Sequence, residues 1–474
     1  MPDHILCIRV CKHPYNETAM ETNNKPDKYG LLSDPIPDAL RRLAVPMVFG
    51  MIAILMFNLV DTFFISLLGT NALAAVSFTF PVTFGLNCIT MGMSVGISTS
   101  IGRLLGSGDT KSAARLTTHG LLLAVILMVL GSTVGWLTID PLFSLMGASA
   151  DLLPIIHEYM TVWYIAIPLL VIPMTGNSAI RATGDAKSPA KIMIMAGLIN
   201  GILDPLLIFG YGPFPELGVK GAAISSGISW AVALTASLYL LHRREKLLTM
   251  PVLLKLKSDW QQILHIGAPA GLSNALNPLS SALLMSLLAA QGTASVAAFG
   301  AAMRIESILV IGMMALGSAL MPFMAQNLGA NKPERAFEAL FTAMHFAILF
   351  QLLIFIAMVP LSVPLASLFS RDATVQHQLW HYLLVVPASY GLQAVCMLLI
   401  SALNALHKTV NALIWNLLRL FGFLLPSAWV GSLYYGTEGL FIGISIANVI
   451  GGICAYLYAR RLRKTTLSSL VTPT

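Results

Sequence analysis

The chain consists of two copies of one sequence pattern. Adding 223 to a position in the first half reaches a matching residue in the second, as Pro46 with Pro269 and Gly69-Thr70 with Gly292-Thr293 show. Further pairs are Leu105-Gly106 with Leu328-Gly329 and, at an offset of 218, residues 218–224 with 436–442. Each copy covers about 220 mostly apolar residues, and such a duplication is typical of a secondary transporter built from two structural repeats.

The composition places the chain in a membrane. It is 56% hydrophobic and only 10% charged, whereas a soluble domain carries roughly 25% charged residues. A soluble fold of this length has no room to hide that much apolar surface, so we predict an all-α membrane protein. Cys7 and Cys11 have metal-like spacing without companion ligands, and the other three cysteines are scattered. We therefore expect no metal site, disulfide or cofactor.

Twelve segments are long and apolar enough to span a bilayer, which requires ~20 residues each. They are 43–67, 72–100, 115–138, 152–180, 189–211, 219–241, 264–290, 294–327, 336–359, 376–404, 409–433 and 438–459. Six fall in each repeat. Because six is even, both repeats insert with the same orientation, so we predict twelve transmembrane helices in two parallel six-helix lobes around a V-shaped cleft.

The same segments set the predicted domain boundaries. A polar tail at 1–30 precedes an N-lobe at 31–241, and a charged linker at 242–263 leads to a C-lobe at 264–462 and a tail at 463–474. No apolar core of a signal peptide occurs in the first tail. We expect the linker to form a cytoplasmic surface helix, with its single tryptophan at the membrane interface.

Basic residues predict the orientation. All but four of the 28 Lys and Arg lie in the tails or in loops that follow even-numbered spans. Only Lys220 and Arg371 fall on the other side, and Arg304 and Arg419 lie inside spans. The positive-inside rule then places both termini in the cytoplasm. The net charge of +7 follows from this topology, so we predict no nucleic-acid partner.

Two aspartates lie inside the first repeat. Asp61 and Asp204 are each about seven residues from the outer end of their spans, hence ~10 Å below the surface at 1.5 Å per residue. Their repeat counterparts, Leu284 and the region around Gly422, carry no carboxylate. A carboxyl group in this setting can take up a proton, or bind Na⁺ or an organic cation when ionised. The alternative is that each only snorkels or caps a neighbouring helix.

Polar and aromatic neighbours extend the candidate site. Asn200 lies one turn below Asp204 on the same face. Asn177 and Ser226 are polar and can converge with it, although such residues often serve only as contacts between helices. Tyr159 and Trp163, four residues apart, suit a cation–π wall. Their position fits an interfacial aromatic belt as well.

Three further charged residues and one proline lie inside the predicted spans. Arg304 and Glu306 are two residues apart and do not face each other on a helix, so we expect Arg304 to pair elsewhere in the second repeat. The sequence assigns no role to Arg419. Pro46 allows a kink in the first span, and we interpret it as a hinge or a fixed bend.

The sequence contains no convincing motif for a catalytic nucleophile or for nucleotide binding. Residues 92–96, Gly-Met-Ser-Val-Gly, match a serine-nucleophile pattern but lie in mid-span, where the two glycines favour a close helix contact. No phosphate-binding loop is present. Energy for transport must then come from an ion gradient or from the solute, and we expect no enzyme activity.

The chain resembles the multidrug and toxic compound extrusion (MATE) family. The resemblance covers about 38–460 and includes Arg181-Ala-Thr-Gly-Asp185 and Gly221-Ala-Ala-Ile224. Within the family it is similar to the branch named after DNA-damage-inducible protein F. The shared residues are an Asp fifteen after a Pro (Pro46, Asp61), Asn-x-x-x-Asp (Asn200, Asp204), Asn177 and Tyr159. The chain departs from that branch at Phe57, where Tyr is common, and at Ser226, where Thr is common.

The resemblance implies a monomeric antiporter in a bacterial inner membrane. It exports amphipathic, often cationic drugs and dyes in exchange for H⁺, with Na⁺ as the alternative at Asp61, Asn200 and Asp204. Substrate-binding residues are then Phe57, Tyr159, Trp163 and Asp61. Two other readings stay open. One is a lipid-linked precursor flippase of the same superfamily, which would show more Arg and Lys in its cavity, and the other is an intramembrane aspartyl enzyme.

Overall fold

The computed structural model describes residues 29–471, with side chains to residue 468, and all regular secondary structure there is helical. Cys7, Cys11 and nearly all of the predicted first tail lie outside it. The helices are α1 (Ile36–Ser66), α2 (Thr70–Gly106), α3 (Thr110–Leu137), α4 (Ile139–Leu145), α5 (Leu153–Thr183), α6 (Lys187–Ile208), α7 (Gly218–Tyr239), α8 (Leu253–Ala289), α9 (Thr293–Leu309), α10 (Ile311–Gly329), α11 (Pro333–Phe369), α12 (Ala373–Val385), α13 (Tyr390–Ala405), α14 (Thr409–Leu417) and α15 (Leu425–Val471).

The predicted all-α membrane protein is confirmed. Ten helical stretches are long and apolar enough to cross a membrane, and α9 with α10, bent by 45°, make an eleventh. The last stretch runs 60 residues, from Thr409 to Ser468. That length is about three times the ~20 residues that one span requires, so this stretch has room for two of the twelve predicted spans.

The long α15 turns back on itself at Gly436, whose φ is 57°. A Cβ on Gly431 would collide with the carbonyl oxygen of Gly439, and a Cβ on Gly443 would collide with that of Ser427. Residues equally far on either side of the turn are thus neighbours, so the two arms run antiparallel. Counted separately, these arms match predicted spans eleven and twelve.

The repeat seen in the sequence reproduces a backbone conformation. Gly69, before α2, has φ 112° and ψ 173°, and Gly292, before α9, has φ 118° and ψ 167°. L side chains rarely adopt this conformation. Glycine therefore recurs at an offset of 223 because both repeats make the same turn between their first two spans.

Glycines bring the two lobes into contact where α2 crosses α8. A Cβ on Gly92 would collide with the carbonyl oxygen of Gly267, and one on Gly271 would lie 2.9 Å from the carbonyl oxygen of Cys88. Backbones approach this closely only where neither helix has a side chain. The close helix contact predicted for residues 92–96 is confirmed.

The lobes stay in contact from this crossing to the end of the bundle that carries loops 107–109, 184–186 and 330–332, here called the basic end. There Gln326 Nε2 donates to the Ala182 carbonyl oxygen (2.6 Å), a bond from α10 to α5. Towards the opposite end, Cβ atoms placed on Gly85 of α2 or Gly300 of α9 would meet no atom within 4 Å. The molecule is V-shaped, closed at the basic end and open at the other.

A buried clamp joins the lobes beside the crossing. Asp259 Oδ2 accepts from Arg115 Nε (2.9 Å) and contacts His119 Nδ1 (2.7 Å). The imidazole, which has no exposed surface, also accepts from the Val252 backbone N–H (3.0 Å), and Trp260 Nε1 donates to the His119 carbonyl oxygen (2.9 Å). Residues 253–263 of the predicted linker are the first turns of α8 and fasten it to α3.

Replacing Asp259 with Ala is expected to loosen the basic end. Removing one member of a buried ion pair costs about 3–5 kcal/mol, and this pair is made only while α3 and α8 are together. Spin labels in the loops after α2 and α10 should show a longer distance between the lobes. Asp140→Ala is the matched control, because Asp140 pairs with His157 (2.9 Å) on the surface. Equal distances in the two variants would show that the clamp does not hold the lobes.

Candidate functional site

Helix ends place the two aspartates at one level of the N-lobe. Asp61 lies five residues before the end of α1, and Asp204 four residues before the end of α6. Tyr159 is in the second turn of α5, which begins at the same, open end. The three side chains are close enough to interact electrostatically. The fold thus brings together residues that are up to 143 positions apart in the chain.

Asp204 is fully buried and held by its own helix. Asn200 Nδ2 donates to Asp204 Oδ1 (3.0 Å) and to Ser225 Oγ of α7 (3.0 Å). Ser225 Oγ donates in turn to the Asn200 carbonyl oxygen (3.3 Å). None of these three residues has exposed surface. Asn200 therefore joins α6 to α7 and fixes the orientation of the carboxylate.

Three oxygen atoms of this pocket are buried and have no hydrogen-bond partner among the described residues: Asp61 Oδ1, Asp204 Oδ2 and Asn200 Oδ1. Neither aspartate forms a salt bridge within that part of the chain. Carboxylates whose oxygens are buried without a counterion are stabilised when a proton or a cation binds to them. Three oxygen donors also fit a hard cation such as Na⁺.

Aromatic side chains pack inside the N-lobe on the helix that carries Tyr159. Tyr159 and Trp163 are 7% and 5% exposed, and the Trp163 ring meets Trp230 of α7 edge to face, 6.4 Å between centroids. Phe57, one turn before Asp61, is half-buried. Tyr159 and Trp163 thus pack inside the N-lobe. Trp230, which no local motif singles out, packs beside this predicted pair.

Two predicted site residues lie elsewhere. Ser225 contacts Asn200, whereas the neighbouring Ser226 points about 100° away around α7 and forms no hydrogen bond with Asn200 or Asp204 in the described part of the chain. Asn177 is eighteen residues after Tyr159 on α5, or about 27 Å along an ideal helix. Its Oδ1 is buried without a partner in the described region. It lies towards the basic end, away from the aspartates.

The charged residues of the second repeat lie in two places, with Arg304 on the surface and Glu306 and Arg419 bonded to neighbouring side chains. Arg304 is exposed on α9, and the expected ion-pair partner for it is not found among residues 29–468. Glu306 accepts from the Tyr382 hydroxyl (2.6 Å), and Arg419 Nη2 donates to Asn277 Oδ1 (3.2 Å). In the described part of the chain no group of three His, Cys, Asp or Glu is arranged to bind a metal.

A family model and curated transporters match most of the chain. The MatE family model matches residues 46–206 and 269–430, two stretches that begin 223 positions apart. The FAD transporter of Shewanella oneidensis is 47% identical over 438 residues, covering 92% of this chain and 97% of that protein. The multidrug export protein MepA of Staphylococcus aureus is 25% identical over 441 residues, 92% and 96% of the two chains.

Solved structures show the same architecture. The crystal structure of the Vibrio cholerae MATE transporter VcmN in the bent form aligns with a TM-score of 0.87 at 33% identity, covering 91% of this chain and 97% of that one. An outward-facing multidrug resistance MATE family transporter aligns with a TM-score of 0.87 at 26% identity, over 94% and 99% of the two chains.

Proposed function

The chain belongs to the MATE family of membrane transporters, and we propose that it exports amphipathic organic compounds, flavin adenine dinucleotide among them, in exchange for protons bound at Asp61 and Asp204. The observation that carries this proposal is the pair of carboxylates in the open half of the V, each with a buried oxygen that has no partner among the described side chains. Members of this family are transporters and not enzymes, so the aspartyl-enzyme reading is set aside.

The substrate follows from two groups of relatives. The 47% identical protein is a FAD transporter, which supports a flavin nucleotide as cargo. A probable multidrug resistance protein is 28% identical and a multidrug export protein is 25% identical, so cationic drugs and dyes are the second candidate. An aromatic wall beside an acidic pocket suits either an isoalloxazine ring or a flat cationic dye.

The coupling cycle uses the state described above. We place the basic end in the cytoplasm of a bacterial inner membrane, which makes this state open to the outside. A proton that reaches Asp61 and Asp204 neutralises the negative charge of the carboxylates. A cationic or polar group of the substrate then loses its partner, so the substrate leaves to the outside. The lobes then close outside and open inside, where the proton is lost. Substrate and proton must favour different states for this exchange to work.

Pro46 is the proposed hinge of that cycle. In this state α1 continues as a helix from Ile36 to Ser66 through the proline. A proline inside a helix leaves the carbonyl four residues earlier, that of Arg42, without its usual N–H. Bending at this position would move Asp61 relative to Asp204 and change the size of the pocket.

Sodium is the alternative coupling ion, because Asp61, Asn200 and Asp204 each present an oxygen without a partner among the described residues. A flippase of lipid-linked precursors would call for several cationic residues in the cavity. Among the described residues that line the C-lobe cavity, Arg419 is a single cationic side chain, which is fewer than that second reading calls for.

Purified protein in liposomes tests coupling and cargo together. With an acidic lumen, we expect external FAD to accumulate inside, and a protonophore to abolish that accumulation. Ethidium, a flat cationic dye, tests the second candidate in the same vesicles. Accumulation driven by an outward Na⁺ gradient at constant pH would replace the proton with sodium. If neither compound moved under either gradient, the proposed cargo would be wrong.

A further inference from the structure

A second polar cavity lies in the C-lobe, between α8, α9, α12 and the π-helical segment Leu418–Leu424. Its volume is about 170 Å³. The polar residues that line it include Asn277, Ser280, Glu306, Tyr382, Gln393 and Arg419. Asn277 lies six residues beyond Gly271, where α8 leaves the crossing with α2, and it is exposed. The cavity therefore belongs to the open half of the V.

Arg419 carries a positive charge into this cavity, and among the described residues Glu306 is near enough to act on that charge but forms no salt bridge with it. Its Nη2 donates to Asn277 Oδ1 (3.2 Å), but its Nε is buried with no hydrogen-bond partner among the described residues. No described carboxylate lies within salt-bridge distance of it. A guanidinium has five donors, and an ionised side chain inside a membrane bundle is costly unless it is paired. The arrangement suits an anion.

Other polar atoms of the cavity are also unsatisfied. Ser280 Oγ and Gln393 Oε1 are buried without partners in the described region. Glu306 faces the same space, and its carboxylate accepts from the Tyr382 hydroxyl (2.6 Å). A ligand for this set needs a negative group for Arg419 and hydroxyl or amino hydrogens for Glu306 and Gln393. A phosphorylated sugar chain has both.

The repeat relates this cavity to the acidic pocket of the N-lobe. Leu284 lines the cavity and lies 223 positions after Asp61, on the corresponding helix. The region around Gly422, at the offset of 218 from Asp204, belongs to the π-helical segment that carries Arg419. The two lobes thus hold pockets at equivalent places, one with two carboxylates and one with a guanidinium.

The volume limits what the cavity can hold. Sites for drug-sized ligands measure ~300–1,000 Å³, so 170 Å³ takes only part of a molecule. We propose that the C-lobe cavity binds the phosphate-bearing part of a flavin nucleotide, with Arg419 on a phosphate oxygen and Glu306 accepting from a ribityl or ribose hydroxyl. The identity of the cargo rests on the proposed function; the anion site itself does not.

Binding measurements on the purified protein in nanodiscs test this site. We use FAD, riboflavin, which lacks phosphate, and inorganic diphosphate as probes. A charge-assisted hydrogen bond contributes about 1.5–3 kcal/mol, so Arg419→Gln should weaken FAD binding at least about tenfold. Riboflavin binding should be unchanged, and Arg419→Lys should recover part of the loss. The control is Arg371→Gln, which removes one positive charge from a loop at the open end and should leave all three probes unaffected.

The outcomes separate the site from the cargo. Diphosphate binding that depends on Arg419, without FAD binding, would keep the anion site and refute the flavin cargo. FAD binding that is equal in wild type and Arg419→Gln would overturn the site and keep the cargo. A loss of riboflavin binding that matches the loss of FAD binding would also overturn it, since a phosphate contact acts on FAD alone. If the binding of FAD and the binding of diphosphate were both independent of Arg419, the cavity would have no anion site.

Discussion

Asp61→Asn is expected to abolish proton-driven export while the protein still folds. Asparagine has nearly the same shape as aspartate but neither takes up nor releases a proton, and Asp61 is only half-buried. In liposomes with an acidic lumen, FAD accumulation should fall to the level of protein-free vesicles. Asp204→Asn should behave similarly, because the two carboxylates share one pocket.

The control and a second measurement make this result specific. Asp151→Asn replaces an exposed aspartate before α5 and should leave transport unchanged. In a weakly buffered solution, binding of substrate to wild type should release protons, and binding to Asp61→Asn should release fewer. Wild-type rates of gradient-driven transport in Asp61→Asn would remove the proton-coupling mechanism.

Much of the fold could be predicted because lipid imposes simple rules. Span length, the even number of spans in each repeat and the offset of 223 lead to the arrangement of helices without any knowledge of contacts. The turn at Gly436 could be placed because its repeat partner, Gly218, begins α7. The level of Asp61 and Asp204 followed from counting residues back from the helix ends.

The contacts within the site could not be predicted to the residue. Ser225 and Ser226 are adjacent and both buried, and one step along a helix changes direction by about 100°. Only the packing of α7 against α6 decides which of them reaches Asn200. The polar character of Asn177 inside a span, and the family resemblance, predict that it converges with the aspartates, whereas its distance along α5 from Tyr159 sets it apart.

One charged residue of the linker is buried although its local sequence does not indicate it. Residues 253–263 contain two lysines and one aspartate, which is the usual pattern of a solvated helix. Asp259 is nevertheless buried, because Arg115 and His119 of α3 surround it. The partners are more than 130 positions away, so no local pattern indicates the pairing.

Gly92→Leu is expected to abolish transport although the residue is part of neither pocket. Any Cβ there would collide with the Gly267 carbonyl oxygen and lie 2.8 Å from the Gly271 backbone nitrogen. Backbone cannot rotate away as a side chain can, and overpacking costs about 1–3 kcal/mol or more. The lobes should then fail to close at the basic end, which spin labels in the loops after α2 and α10 would report as a longer distance.

Gly85→Leu is the matched control, on the same helix and two turns nearer the open end, where a Cβ meets no atom within 4 Å. It adds the same side chain without a collision, so transport and distance should stay close to those of wild type. The comparison separates an effect of the crossing from an effect of a larger residue in α2. If Gly92→Leu transported normally, contact between α2 and α8 could not be required in the cycle. The open half would then have to release substrate without closure of the lobes at the basic end, and alternating access about this crossing would be wrong.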